Sequence, residues 1–272
     1  MIRTYTPLGV RFWDALTRAP IAGGLGVTAW PLGDGPPGVR AYLTPSGVYA
    51  FRGLRGMRRV EYPVGTAPPS DSAVFVIRVE DRSGVWLPAT MLVPAPHTGP
   101  APMLLEQSPW DTFPTIYLFS APSRPVPTGT AAVRATLVEH ATGEPAAHAR
   151  VDVAVGGTVW PGIAAGNGNV AVLFPFPVFQ GAVPASFPAG GQGQPPMGQS
   201  WPVTVTVRYQ PGALHRPAPG QVPTLAGILA QAPARIRPTR AGAPQARLDA
   251  ELYFGRELVL ATQGYSVLRI GS

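Results

Sequence analysis

Four histidines, 14 acidic residues and no cysteine make up most of the reactive inventory of this 272-residue chain. Without cysteine there is no disulfide, no thiolate nucleophile and no thiolate metal ligand. A serine nucleophile needs a base and an orienting acid, and the Gly-x-Ser-x-Gly turn that would present one does not occur. His97 and His215 lie in proline-rich stretches, whereas His140 and His148 flank one turn. With Glu139 or Glu144 the latter pair could hold a metal ion, but solvated turn residues are the simpler reading. The carboxylates are dispersed, so no pair is placed for general acid–base work. Glu80-Asp81 ahead of Gly84 reads as a hairpin turn. There is no Walker loop, and Gly190 to Gly198 reads as a flexible loop. The expectation is a non-enzymatic chain with neither metal nor cofactor.

Charge is the stronger signal. All 21 basic residues are arginine and the formal net charge is +7. Arginine forks pair bidentately with carboxylates and suit buried interface contacts better than lysine. Two clusters stand out, Arg52, Arg55, Arg58 and Arg59, then Arg235, Arg237, Arg240 and Arg247. Phe51 and Tyr62 beside the first would allow nucleic-acid contact. The arginines are interleaved with glycine, proline and alanine, however, so a solvated face or an acidic protein partner is expected instead of nucleic acid. Arg52, Arg55, Arg58, Arg59, Trp110, Phe113, Arg235, Arg237 and Arg240 form the candidate interaction surface. Charged residues are only 13% of the chain, about half the usual share, which fits a surface covered by neighbouring subunits. Of the six tryptophans, most are expected in the core, with one or two free to stack on sugars.

These residues must be carried by strands. The 35 prolines and 32 glycines punctuate short Val, Leu, Phe and Tyr runs and so read as turns. Ile2 to Phe12 reads as an edge strand or docking arm, because Pro7 interrupts it. Leu25, Val27 and Ala29 alternate with Gly26, Thr28 and Trp30. Val74 to Val79, Val170 to Phe174 and Trp201 to Tyr209 are further strands, and Leu248 to Ile270 closes the chain with two or three more. Thr224 caps one short helix, near 224–232, which Pro233 stops. Pro94 to Pro114 reads as a linker or strap. The expected division is a sandwich over 1–114 and a second over 115–272, with loops 185–200 and 211–247 reaching outward. No run long and apolar enough to span a membrane occurs. Ile2 to Pro7 carries no apolar stretch of signal type, so synthesis in the cytoplasm is expected.

An internal repeat supports two modules. Thr17 and Pro20 match Thr142 and Pro145, Leu25 and Val27 match Val151 and Val153, and Ser46-Gly47 matches Asn167-Gly168. With Asp14 and Gly143, these positions resemble the carboxypeptidase regulatory-like or transthyretin-like module over about 40 residues of each half. The resemblance implies an all-β chain of two immunoglobulin-like/transthyretin-like β-sandwich modules, with long Pro/Gly-rich loops and one short helix. Intradiol dioxygenases share that scaffold but need a compact Tyr and His set, which is missing here. More loosely, Arg11 to Asp14, Thr44 to Phe51, Phe75 to Asp81 and Tyr117 to Pro122 resemble tandem-sandwich accessory proteins of phage-tail-like contractile injection systems. That resemblance implies a structural part of a baseplate or cap, with other tail subunits and further copies of itself as partners, in a particle that is later released. A carbohydrate- or ligand-binding module is the alternative, and a metal-dependent enzyme the second.

Overall fold

The computed structural model describes residues 8–58, 73–95, 115–177 and 199–271. The chain is all-β and divides into two units, 1–123 with 212–231, and 124–211 with 232–272. In the first unit the strands are β1 (Leu8–Asp14), β2 (Leu25–Pro31), β3 (Val39–Arg40), β4 (Tyr42–Leu43), β5 (Tyr49–Phe51), β6 (Ala73–Asp81), β7 (Ala89–Ala95) and β8 (Thr115–Leu118). One sheet runs β4-β5-β1-β8 and the other β3-β2-β6-β7. β1 is antiparallel to β5 and parallel to β8. Alternation puts Leu8, Val10 and Phe12 of β1 and Phe75, Ile77 and Val79 of β6 into the core, as the two-residue period of a strand requires.

The second unit contains β9 (Thr130–Glu139), β10 (Arg150–Val155), β11 (Thr158–Ile163), β12 (Asn169–Pro175), β13 (Ser200–Arg208), β14 (Arg235–Arg237), β15 (Leu248–Tyr253), β16 (Leu258–Leu260) and β17 (Leu268–Gly271). Its sheets run β12-β9-β17-β14, with β16 also on β9, and β11-β10-β13-β15. The core is built from Val133, Leu137, Val151, Val153, Phe174, Val205, Leu252 and Leu268. Each unit is thus a two-sheet β-sandwich.

The repeat is one of backbone geometry as well as of sequence. After β1, Arg18 N–H donates to Asp14 O, Asp14 N–H to Ala19 O and Ile21 N–H to Phe12 O. After β9, Gly143 donates to Glu139, Glu139 to Glu144 and Ala146 to Leu137 in the same pattern. Pro20 bridges Trp13 as Pro145 bridges Val138. Each turn needs one left-handed residue, supplied by Gly143 (φ 78°) in the second unit and by Arg18 (φ 52°) in the first. A second matched turn places Gly47 N–H on Thr44 O and Gly168 N–H on Ala165 O. The first strand then meets a parallel last strand in both, Phe12 opposite Ile116 and Leu137 opposite Leu268.

Four expectations change. β1 lies inside its sheet rather than at an edge, because Pro7 precedes the first paired residue and costs the ladder no donor. The boundary at 114/115 moves to 123/124, since β8 is the parallel partner of β1 and completes the first sandwich. The segment 212–231 also returns to the first unit, where Thr224 bridges Thr90 of β7. It carries the helix α1 (Leu225–Leu229), whose first turn is capped by Thr224 accepting from Gly227 N–H. α1 stops before the expected 232, where the buried Gln231 amide donates to Ile228 O at 3.0 Å.

The β6–β7 hairpin depends on one carboxylate. Asp81 accepts from the Ser83 N–H and hydroxyl, from Val85 N–H at 2.7 Å and from Trp86 N–H at 3.0 Å. Partial burial pushes its pKa up, but the Ser83 hydroxyl and the three N–H donors outweigh that and hold it below the ordinary value. A depressed carboxylate stabilises above its unfolded pKa and loses that contribution as pH falls through its folded value. Asp81→Ala should therefore cost the first unit about 1–2 kcal/mol at neutral pH. The difference from wild type should shrink below about pH 4. Urea midpoints at pH 7 and pH 3 check both statements.

Candidate interaction surface

The first arginine cluster sits on the loop that leaves β5. Phe51, Leu54 and Met57 are buried and pin the loop to the sandwich, while Arg52, Arg55 and Arg58, each one residue further on, are exposed. Gly53 and Gly56, with φ of 71° and 84°, let the chain turn between these anchors. Arg52 lies over the Tyr42 ring at 4.8 Å. Arg55 pairs with Asp34 at 3.2 Å in a solvent-exposed bridge of little energetic weight. Arg59, Trp110 and Phe113 lie outside the described residues, as do His97, most of the 94–114 strap and most of the 185–200 loop.

The second cluster belongs to the other unit. Arg235 and Arg237 flank the fully buried Ile236 on β14, so both point to the outer face. β14 is antiparallel to β17, with Ile236 opposite Ile270 and Arg237 opposite Arg269. Arg269 sits over the Tyr265 ring at 4.1 Å, and Arg240 reaches the same ring at 6.0 Å. Arg247 leaves the cluster and faces Asp249 at 3.6 Å. The sequence reading named Arg235, Arg237 and Arg240 and weighed His140 only as a turn residue or metal ligand beside His148, and it missed Arg269 and Tyr265. Arg269 was legible as the outward residue of a strand, but its cross-strand partner was not, because register is set by the tertiary fold.

Most of the acids among the described residues are taken up elsewhere. Glu80 pairs with Arg78, Glu257 with Arg134 at 3.2 Å, and Asp152 with Arg150 at 2.8 Å and Arg208 at 3.7 Å. Partial burial and the charges of Arg237 and Arg269 together hold the His140 pKa below its ordinary value. Among the described residues no group of three or more His, Asp or Glu side chains is placed to hold a metal ion. Of the described tryptophans, Trp30 and Trp201 are buried and Trp13, Trp86 and Trp160 half-buried. Trp13 packs against Tyr117 at 6.2 Å and Trp160 stacks on Phe174 at 5.9 Å. No helix among the described residues is long and apolar enough to cross a membrane.

The sheet edges are the other feature of these surfaces. β8, β11 and β12 each border a sheet and carry no charged side chain. Val159 on β11 is 53% exposed. Proline blunts one position each of β11 and β12, at Pro161 and Pro175, whereas β8 has none.

No family model and no curated protein matches the chain. Among solved structures it is similar to a candidate adhesin from Bacteroides ovatus, at 8% identity over 75% of this chain and 72% of that one, with a TM-score of 0.17.

Proposed function

We propose that the chain is a non-enzymatic structural component of a large assembly, holding neighbouring subunits by strand addition and loop contacts. The observation that carries this reading is that, among the described residues, five strands at sheet edges carry no charge, β4, β7, β8, β11 and β12. Free sheet edges expose unpaired N–H and C=O groups, and proteins that stay alone blunt them with charge, proline or cover. Edges without charge fit a chain whose edges are used, because backbone pairing supplies affinity and alternate side chains supply specificity. The exposed arginines at 52, 55 and 58 in the first unit, and the outward-facing arginines of β14 in the second, each add positive charge for acidic partners.

The finer reading is a baseplate, cap or other accessory part of a contractile, phage-tail-like injection particle, with other tail subunits and further copies of this chain as neighbours. The stretches Arg11 to Asp14, Thr44 to Phe51, Phe75 to Asp81 and Tyr117 to Pro122 support it by resemblance. They fall on β1, on the turn and strand at β5, on β6, and on β8 with the segment after it, so the likeness follows the sandwich core. Sedimentation of native lysate tests the proposal, because an assembly part travels with its particle and a free ligand-binding module travels alone.

A further inference from the structure

Like charges placed directly opposite on one face of a strand pair are destabilising, yet Arg237 and Arg269 stand opposite each other on the outer face of β14 and β17. The inward neighbours on both strands, Ile236 and Ile270, are fully buried, which fixes both guanidinium groups on the same outer side. Thr262 holds the pair in register, its hydroxyl donating to Arg237 O at 2.6 Å and accepting Arg269 N–H at 2.9 Å. The Tyr265 ring supports Arg269 from the side. His140, just past the end of β9, is tied in by its N–H on Ile270 O at 2.6 Å.

Two polar atoms in this cluster are buried without a partner, Arg269 Nε and His140 Nδ1. Buried polar groups are nearly always hydrogen-bonded, and an orphan calls for an explanation. The carboxylate next along the chain, Glu139, accepts from the Thr142 hydroxyl instead. Among the described residues neither Arg237 nor Arg269 has a carboxylate partner. Two guanidinium forks, from β14 and β17, and an imidazole just past the end of β9 therefore bring donors and uncompensated positive charge together.

We propose that Arg237, Arg269 and His140 form a binding site for a tetrahedral oxyanion, a phosphate or sulfate group, with Arg235 and Arg240 at its rim. One carboxylate is satisfied by a single bidentate arginine, whereas two forks and a ring N–H match the several oxygens of a doubly charged tetrahedral group. The anion relieves the repulsion between Arg237 and Arg269. His140 joins as a donor through Nε2, since its Nδ1 is buried. This site goes beyond the assembly reading and does not depend on it.

The full chain, labelled with nitrogen-15 at histidine, is titrated with inorganic phosphate and with inorganic sulfate at constant ionic strength in chloride. The expected result is a saturable shift of the His140 ring signals, absent when chloride alone is raised. Arg237→Gln and Arg269→Gln should each weaken binding about tenfold or more. Arg269→Lys, which keeps the charge without the fork, should restore only part of it. Arg247→Gln, in the exposed pair with Asp249, should bind as wild type does. Near-ultraviolet circular dichroism checks the fold of each variant, and Arg237→Lys replaces Arg237→Gln if the latter unfolds. A phosphate monoester binding more tightly than inorganic phosphate would assign an esterified group, and the reverse the free ion, both upholding the site. No saturable response, an equal response in Arg237→Gln and Arg269→Gln, or an equal loss in Arg247→Gln would overturn it.

Discussion

Gly168→Ala should destabilise the second unit by about 3–5 kcal/mol, whereas Gly47→Ala, at the matching position of the first unit, should cost only about 1–2 kcal/mol. Both glycines close the turn before an antiparallel strand, and both are left-handed, with φ of 81° and 77°. An L-residue in that conformation costs about 1–2 kcal/mol, which both variants bear. The difference lies in what a methyl group would meet. At Gly168 it would stand 2.3 Å from the carbonyl oxygen of Leu137, while at Gly47 nothing lies within 4 Å. The Gly168 carbonyl also accepts the Leu137 N–H at 2.8 Å, so relief of the clash moves the bond that starts the β9–β12 pairing. Guanidinium midpoints of the two variants measure the contrast. Equal losses would mean that the backbones at Gly168 and Leu137 do not approach as closely as the structure has them.

Phe12→Ala should cost the first unit about 3–5 kcal/mol. The ring is fully buried and meets Tyr49 edge-on at 5.3 Å, a geometry that adds to the area it buries. Phe12 also sits where β1 turns from its antiparallel partner β5 to its parallel partner β8, opposite Ile116. Its counterpart in the second unit is Leu137, also fully buried. Phe12→Leu, which leaves an apolar side chain in place, should therefore cost less than half as much as Phe12→Ala. The same denaturation experiment checks the order, and equal losses from the two variants would contradict the packing described.

Much of this architecture was legible in the sequence because the signals were local. Alternation in Leu25 to Trp30 and Trp201 to Tyr209 marked strands that need no distant partner to be recognised. The matched Thr and Pro positions exposed the repeat, since the same turn chemistry recurs for the same hydrogen bonds. Short or proline-flanked strands escaped. β14 is three residues, Arg-Ile-Arg, between prolines, and its strand character comes from β17 and from Gln245, with which Ile236 exchanges backbone hydrogen bonds at 2.7 Å. β11 escaped although Gly156-Gly157 before it is a hairpin signal. The boundary was misplaced for a similar reason, because nothing local tells β8 that its partner lies a hundred residues earlier.

The candidate surface divided in the same way. The exposure of Arg52, Arg55 and Arg58 follows from their spacing against Phe51, Leu54 and Met57, which a sequence displays. The meeting of Arg237 with Arg269 and of both with His140 depends on the register of three strands, which it does not.

The central claim is that this pair of sandwiches works as part of a larger particle. Gradient sedimentation of native lysate from the source organism, with the chain followed by antibody, tests it most directly. The account predicts recovery in the heaviest fractions together with tube or sheath proteins. Recovery only as a small free species would contradict it.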